Sequence, residues 1–318
     1  MVTIDVGPII ILAGGLSPER DVSLRSGRRV ADALRRREID VEVLDIDDTL
    51  AERLTKDQPA CVIPLVHGAV GEDGTLHEVL ANLGTAYVGS DPQACRQSFD
   101  KPTANAIVAA AGFCVPHSIE LQQSTFRELG TQTVLQSLID TIGLPLVVKP
   151  SRGGSSLGVS VVHTESALPA AMISAFAYGK TALIQAYVEG TEIAVPVIDT
   201  GTGPRALSVV EIRADGGVYD YHARYTAGST EFVTPAHLPS ETLLACESAA
   251  VGIHSALGLR DWSRTDLIVD ANGQVWFLEA NVAPGMTETS TYPQAVLVAG
   301  LNMGEIVEEL IRLAIARA

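Results

Sequence analysis

Short apolar segments alternate with helical patterns along the first part of the chain. The apolar segments are PIIILAG (8–14), VEVLDI (41–46) and CVIPLV (61–66). Helical periodicity follows the first of them at 22–36 and the last at 75–83. Buried parallel strands read as continuous apolar runs, and the helices between them cover the sheet. The alternation therefore predicts an N-terminal wound α/β domain over residues 1–96.

The pattern changes beyond residue 96. A helical segment at 102–111, the strand LPLVVKP (144–150) and a Gly/Ser-rich loop predict a central α+β unit over residues 97–188. Residues 189–318 hold further strands, a long helical segment and a polar Gly/Tyr-rich stretch at about 213–234, which we expect to form a lid. The predicted fold class is α/β and α+β, in three compact domains with short joints.

Composition and charge narrow the choice of partners. The 318 residues are 47% hydrophobic and carry a net charge of −16, with a pI near 4.8. Such a balance argues against nucleic acid or an anionic membrane surface, which need a positive face. We find no apolar run that suits a signal peptide or membrane span, so we expect a cytoplasmic protein. Four scattered cysteines indicate reduced thiols rather than disulfides or zinc.

The stretch VVKPSRGGSSLGVSVV at 147–162 combines a lysine, a Gly/Ser turn and two flanking strands. Its glycines allow the backbone to aim several N–H groups inward, and Ser155 and Ser156 add hydroxyl donors. Lys149 would direct a positive charge toward the same anion. A phosphate-binding loop is one interpretation. A plain hairpin turn with a solvated lysine is the other, and this stretch alone does not decide between them.

Two catalytic motifs are imitated but lack their structural context. Gly154 to Gly158 match G-x-S-x-G with Ser156 as a nucleophile, yet that motif needs a helix after the turn. The β-branched VSVV that follows favours a strand instead. Gly179-Lys180-Thr181 imitates the end of a phosphate-binding P-loop, but Ser174 stands where the leading glycine belongs. We therefore favour neither a serine hydrolase nor a P-loop enzyme.

A second group of polar residues lies in SRTDLIVDANGQVWFLEAN at 263–281. Asp266 falls on one predicted strand, while Glu279 and Asn281 are two apart on the next and so share a face. Three oxygen ligands on one face suit magnesium bound together with phosphate. Arg264, on the same face as Asp266, could stabilise developing negative charge. A solvated acidic hairpin is the alternative, but the apolar surroundings of Glu279 favour a partnered, buried carboxylate.

Eight segments in order resemble the D-alanine:D-alanine ligases of the ATP-grasp superfamily, over nearly the whole chain. The segments are GGLSPERDVSLRSG (14–27), HGAVGEDGTL (67–76), DK (100–101), VVKPSRGGSSLGVS (147–160), VEGTE (188–192), YDYHARY (219–225), SRTD (263–266) and EANVAPGMTETS (279–290). No single segment is specific, but their common order is. The resemblance implies the three-domain ATP-grasp fold.

The resemblance also implies how ATP would be held. Lys101 and Lys149 would bind its phosphates, the loop with Ser156 would close over them, and Arg224 would add a cation. The stretch from Gln185 to Val188 would line the adenine, and Glu192 would hold the ribose. Two magnesium ions, replaceable by manganese, would be bound by Asp266, Glu279 and Asn281.

By the same resemblance, the substrates are small amino acids joined through an acyl phosphate, in a homodimer. Glu19, linked through Ser155 to Tyr225, would bind the ammonium of the first amino acid. His67 and Ser290 would lie near the second. Arg264 and the amide of Gly285 would stabilise the tetrahedral oxyanion. The implied product is D-alanyl-D-alanine for peptidoglycan synthesis.

Some positions depart from the family pattern. Arg224 replaces the usual lysine, and Gln185 replaces a glutamate that accepts a hydrogen bond from the adenine amino group. His77-Glu78 and Val282 also differ, at positions that we expect near the acceptor amino acid. Two alternatives to the D-alanine ligase therefore stay open. One is a related ATP-grasp ligase with another amino acid or carboxylate substrate, and the other is a nucleotide-binding regulator without turnover.

Overall fold

The computed structural model describes residues 7–214 and 229–318. Its first sheet is parallel, in the order β2-β1-β3. Both faces of this sheet are covered, as the continuous apolar strands predict. The elements of this part are β1 (Ile9–Leu12), α1 (Arg20–Arg35), β2 (Val41–Leu44), α2 (Leu50–Asp57), β3 (Cys61–Pro64), α3 (Ala69–Glu72) and α4 (Thr75–Asn82).

A four-stranded antiparallel sheet follows, in the order β4-β7-β5-β6. Helices α8 and α9 pack on it around Leu146, Val148 and Ile184. The elements are α5 (Pro92–Phe99), α6 (Lys101–Ala110), β4 (Ser118–Gln122), α7 (Gln123–Leu129), α8 (Thr131–Ile142), β5 (Leu146–Pro150), β6 (Ser160–Val162), α9 (Leu168–Phe176) and β7 (Thr181–Ala186).

The third sheet has the order β11-β10-β8-β12-β13, with β9 paired to β8. Strands β8 and β12 are long neighbouring strands in the middle of this sheet, and both are largely buried. The elements are β8 (Thr191–Ile198), β9 (Arg205–Ala206), β10 (Val210–Ala214), β11 (Thr230–Val233), α10 (Ser240–Ala256), β12 (Trp262–Val269), β13 (Val275–Asn281), α11 (Thr291–Val298) and α12 (Met303–Arg317).

The three units are not packed independently. One apolar core joins strand β1 to Trp262, Tyr292 and helix α12 of the last part. Helices α5 and α6 contribute Cys95 and Val108 to the core of the third sheet. Domain boundaries at residues 96 and 188 therefore stay a prediction. Among the described residues, no helix combines the length and apolar character that a bilayer span requires.

Local sequence signals fix the start of helix α6, where Lys101 lies. Asp100 caps α6 by accepting a hydrogen bond from Thr103 N at 3.1 Å, and proline occupies the first turn. Arg152 Nε donates to the second oxygen of Asp100 at 2.8 Å, and Lys101 N donates to Ser151 O at 3.0 Å. The start of α6 is thereby fixed against the Gly/Ser loop, and Lys101 is buried beside it.

Candidate active site

The Gly/Ser loop has the backbone of an anion-binding nest. Gly153, Ser155, Ser156 and Gly158 all have positive φ, with values of 135°, 52°, 55° and 71°. Left-handed conformation is costly for the two serines, so the loop is held by its surroundings. At Gly158 a Cβ would lie 3.0 Å from Pro150 Cγ, which leaves room only for glycine. The geometry suits phosphate oxygens.

The flanking elements exclude both imitated motifs. The Gly/Ser loop leads from β5 into β6, another strand, whereas a nucleophile elbow leads into a helix. Gly179 and Lys180 follow helix α9 and precede strand β7. A P-loop needs the reverse order of strand and helix. Ser156 therefore does not occupy the position of a hydrolase nucleophile. This agrees with the strand that the sequence predicted after the loop.

Two adjoining cavities open beside the loop. The first, of about 340 Å³, is lined by the predicted residues Glu19, His67, Ser155, Arg264, Asn281, Gly285 and Ser290. The second, of about 160 Å³, is lined by the predicted residues Lys149, Ser156, Gln185, Val188, Glu192 and Asp266. Lys101 and Glu279 line both cavities. Arg224 and Tyr225 lie outside the described residues.

Strands β12 and β13 bring the predicted metal ligands together. Asp266 is paired directly with Glu279, and Arg264 with Asn281, in antiparallel register. Cross-strand partners point to the same face of a sheet. The register shifts just beyond Asp266, which marks a bulge, and Leu278 and Glu279 then both line the second cavity. The shared face agrees with the sequence analysis, while the ligand role of these residues stays a prediction.

Each carboxylate on this face has a cationic partner. Arg264 donates two hydrogen bonds to buried Asp266, from Nε to Oδ1 at 2.7 Å and from Nη2 to Oδ2 at 2.8 Å. Lys101 Nζ lies 3.3 Å from Glu279 Oε2 and donates to Gly153 O at 2.6 Å. The side chain of Glu279 is 25% exposed, so it is only partly buried, contrary to our expectation from its apolar neighbours.

The donor set fits magnesium shared with a phosphate ligand. Among residues 7–214 and 229–318, no place gathers three or more His, Cys, Asp or Glu side chains that could hold a metal alone. Magnesium often takes only one or two carboxylates from the protein, together with phosphate oxygens and water. Asp266 and Glu279 supply two carboxylates and Asn281 an amide oxygen, which also accepts from Ala283 N at 3.0 Å.

Lys149 lies buried in the wall of the second cavity. Burial lowers the pKa of its ammonium to about 8, and the nearby charge of Lys101 acts in the same direction, opposed by Glu279 and Glu192. Two lysines converging on one cavity, in a chain with few lysines, indicate a strongly anionic ligand.

Glu19, at the start of helix α1, is coupled to the Gly/Ser loop. Ser155 Oγ donates a hydrogen bond to Glu19 Oε1, across 136 residues of sequence. The backbone N–H of Glu19 donates to Ser17 Oγ at 3.1 Å. Glu19 is 9% exposed and points into the first cavity. This pair agrees with the predicted link between Glu19 and Ser155, whereas the onward link to Tyr225 lies outside the described residues.

Sequence reasoning missed a third carboxylate in the first cavity, in addition to Glu19 and Glu279. Glu72 is buried beside His67, with Oε1 3.8 Å from His67 Nδ1, and it accepts from Gly68 N at 3.1 Å. Burial first, and then the Glu19 carboxylate, raise the pKa of Glu72 to about 8. Burial lowers the pKa of His67 to about 4, so its ring is neutral at pH 7. The GEDG segment contained Glu72, but its spacing gave no hint of its neighbours.

The loop after β13 completes the first cavity. Ser290 Oγ accepts from Thr287 N at 3.1 Å and lies 2.8 Å from Thr287 Oγ1. A Cβ at Gly285 would lie 2.8 Å from Ser290 Oγ, so a side chain there would displace the serine. By contrast, His77 is buried edge-on against Tyr87, with ring centroids 5.4 Å apart, and Val282 is in the apolar core. These two departures do not line the cavity.

The sequence model of the family described as D-ala D-ala ligase C-terminus matches residues 107–312. The chain belongs to the D-alanine–D-alanine ligase family. Two relatives with that name illustrate the likeness. The ligase of Desulforudis audaxviator is 37% identical and covers 96% of this chain and 97% of its own. The ligase of Pelotomaculum thermopropionicum is 34% identical and covers 98% of this chain and 97% of its own.

Solved structures of D-alanine ligase family members share the whole fold. The D-Ala:D-Ser ligase VanG from Enterococcus faecalis is 26% identical, with a TM-score of 0.83 over 97% of this chain and 99% of its own. The D-alanine–D-alanine ligase from Bacillus anthracis complexed with ATP is 25% identical, with a TM-score of 0.82 over 98% of both chains. The resemblance and the ATP-grasp fold are confirmed, and the chain is a ligase.

Proposed function

We propose that this enzyme joins two D-alanine molecules at the expense of ATP, for peptidoglycan precursor synthesis in the cytoplasm. The observation that carries the proposal is the position of Glu279. Its carboxylate lies on the face shared with Arg264, Asp266 and Asn281, and it lines both cavities. Phosphates in one cavity and a carboxylate substrate in the other would meet there. The proposal extends to a homodimer, on the family resemblance alone.

The second cavity suits the nucleotide. Its walls include Val147, Ile268 and Leu278, which can enclose a flat base. Gln185 lies near the end of strand β7, and Val188 follows just beyond that strand. Glu192 offers a carboxylate to ribose hydroxyls. Lys101, Lys149 and the N–H groups of the Gly/Ser loop would hold the phosphates, with Ser156 adding a hydroxyl.

Magnesium held by Asp266, Glu279 and Asn281 would supply charge neutralisation between the nucleotide phosphates and the substrate carboxylate. Binding the phosphates would then draw Lys101 from Glu279. Asp266 would likewise exchange its pairing with Arg264 for a phosphate-bound cation. The two ion pairs thus keep the site charge-balanced until substrates provide other partners.

The first cavity suits the two amino acids. Glu19, oriented by Ser155, would bind the ammonium of the first, leaving its carboxylate to attack the γ-phosphate. The bond between the γ-phosphorus and its bridging oxygen breaks, ADP leaves, and an acyl phosphate forms. Neutral His67 and Glu72 shape the wall on this side.

The second amino acid would approach between Ser290, Gly285 and Arg264. Its free amine attacks the acyl carbon, and the resulting oxyanion would be stabilised by the Arg264 guanidinium and the Gly285 N–H. Collapse of this intermediate breaks the bond from the acyl carbon to the phosphate oxygen. Inorganic phosphate leaves with the proton that the attacking nitrogen loses, and the dipeptide remains. The protein needs no covalent nucleophile, because the acyl phosphate is already activated.

An assay of ADP release with product mass spectrometry tests the proposal. The enzyme is supplied with ATP and magnesium and with D-alanine, L-alanine or D-alanine plus D-serine. We expect D-alanyl-D-alanine and stoichiometric ADP and phosphate with D-alanine, and no turnover with L-alanine. ADP release only with another acceptor would show that this acceptor, and not D-alanine, is the second substrate. Absence of release with every substrate would overturn the proposal.

A mixed D-alanine–D-serine ligase is the second candidate. The full-length likeness to the D-Ala:D-Ser ligase VanG is the observation in its favour. Competition between D-alanine and D-serine in one reaction decides between the two, since the ratio of the dipeptide products reports the acceptor preference directly.

A further inference from the structure

Gln185 contributes a neutral amide to the lining of the second cavity. It lies on strand β7, paired with Val147 of β5 and Ser118 of β4, and is 2% exposed. Apolar side chains surround the same space, among them Val147, Val161, Ile268 and Leu278. A long polar side chain in such a position is rarely retained without a hydrogen-bond partner.

The amide nitrogen of Gln185 has no such partner within the protein. Its Nε2 is shielded from water and, among the described residues, meets no acceptor. The side chain lines the cavity that we assign to the nucleotide, so the missing acceptor would come from a ligand. An oxygen on the edge of a heterocyclic base could accept this hydrogen bond from Nε2.

Two backbone N–H groups close to Gln185 in sequence cannot serve that oxygen. Ala186 N donates to His117 O at 2.8 Å, and Tyr187 N donates to Pro145 O at 3.3 Å. The N–H groups of the two residues that follow Gln185 are therefore engaged within the protein. Gln185 Nε2 therefore remains a side-chain donor in the lining of this cavity, beside Val188.

An amide can serve either of two base edges. Rotating its last torsion by half a turn exchanges the accepting oxygen with the donating nitrogen, at nearly the same positions. The oxygen would accept from a 6-amino group, as in adenine. The nitrogen would donate to a 6-oxo group, as in hypoxanthine. A carboxylate at the same position could only accept.

We propose that Gln185 makes this ligase tolerant of 6-oxopurine triphosphates, so that it uses inosine triphosphate as well as ATP. The inference rests on the proposed function, because it takes the second cavity as the site of the nucleotide base. Gln185 is then the residue that sets base selectivity, through the orientation of one amide.

Binding of ATP and inosine triphosphate to the whole enzyme, measured by calorimetry without amino acids, tests this role. For the wild type we expect dissociation constants within about tenfold of each other. Gln185→Glu should shift the ratio by about tenfold or more toward ATP, because a fixed acceptor would face the 6-oxo oxygen. Gln185→Met, of similar length but without polar atoms, should weaken both nucleotides by similar factors.

The outcomes separate this inference from the proposed function. Equal ratios for the wild type and Gln185→Glu would overturn the role of Gln185, as would a wild type that binds ATP but not inosine triphosphate. A wild type that binds neither would overturn the assignment of the cavity. Thermal melts check folding. Where Gln185→Glu fails to fold, Gln185→Met decides, because unchanged affinities in that variant would exclude contact with the base.

Discussion

Arg264 and Asp266, two residues apart on strand β12, form a bidentate ion pair, with nitrogen to oxygen distances of 2.7 and 2.8 Å. The same two groups are assigned to different tasks, oxyanion stabilisation and metal binding. In the proposed mechanism, both groups would exchange part of this pairing for other partners. The pair would then link the arrival of a cation at Asp266 to the release of the guanidinium toward the first cavity, which Arg264 also lines.

Arg264→Ala should lower turnover by about a hundredfold or more, as loss of an oxyanion donor does. ADP release under saturating D-alanine measures it. Arg53→Ala is a matched control, because Arg53 pairs with Glu42 at 2.7 Å in an exposed position on α2. A loss as small as that of the control would leave Arg264 as a purely structural partner of Asp266.

Glu279→Gln should abolish most magnesium-dependent turnover while leaving the fold intact. The amide keeps the size of the side chain but loses the charge that attracts magnesium and pairs with Lys101. Turnover over a magnesium titration, together with a thermal melt, measures both effects. Glu120→Gln, at an exposed position on β4, is the control. Wild-type rates in Glu279→Gln would exclude this carboxylate from the metal site.

Nucleotide binding at about pH 8.5 should take up protons through Lys149. Burial and then Lys101 lower its pKa to about 8, so part of the population is neutral at that pH, and arriving phosphates favour the charged form. Calorimetry in buffers of different ionisation enthalpy measures the uptake. Lys149→Met should remove it, whereas Lys180→Met, on the exposed turn before β7, should not. Equal uptake in both variants would contradict the assignment.

The lowered pKa of Lys149 also makes the stability of the protein depend on pH. Between about pH 8 and the ordinary lysine value of 10.5, the unfolded chain binds a proton that the native lysine has lost. The contribution of Lys149 to the free energy of unfolding therefore rises with pH in that window. Below about pH 8 the buried ammonium destabilises the wild type, so Lys149→Met should have the larger free energy of unfolding there. This advantage of the variant should shrink as the pH rises.

Glu72→Gln should stabilise the protein more at pH 8 than at pH 5. Burial and the Glu19 carboxylate raise the pKa of Glu72 to about 8 from an ordinary 4.5, so the native state retains a proton that the unfolded chain loses. The free energy of unfolding then falls as pH rises through this window. Glutamine can still accept from Gly68 N but does not titrate.

Melting temperatures of Glu72→Gln and the wild type at both pH values measure this effect. We expect the difference between the two proteins to grow by at least about 2 °C from pH 5 to pH 8. Glu52→Gln, exposed on α2, is the control. A difference that is constant with pH would show that Glu72 is ionised in the native state throughout.

The amino-acid sequence by itself determined the family and indicated most of the residues that line the two cavities. Eight short segments in a common order carried the resemblance, and the spacing of two residues on a strand placed Glu279 and Asn281 on one face, as it did Arg264 and Asp266. Such inferences hold because side chains alternate along a strand wherever that strand lies. The strand that follows the Gly/Ser loop was likewise readable from its β-branched residues.

Only the tertiary structure decided which charges meet. Asp266 pairs with Arg264, Glu279 with Lys101, and Ser155 with Glu19, while Glu72 is buried beside Glu19. Most of these partners are far apart in sequence, and their distances depend on how three sheets pack around shared cores. Because Coulomb interactions and desolvation depend on those distances and on depth, local pattern could not reveal them.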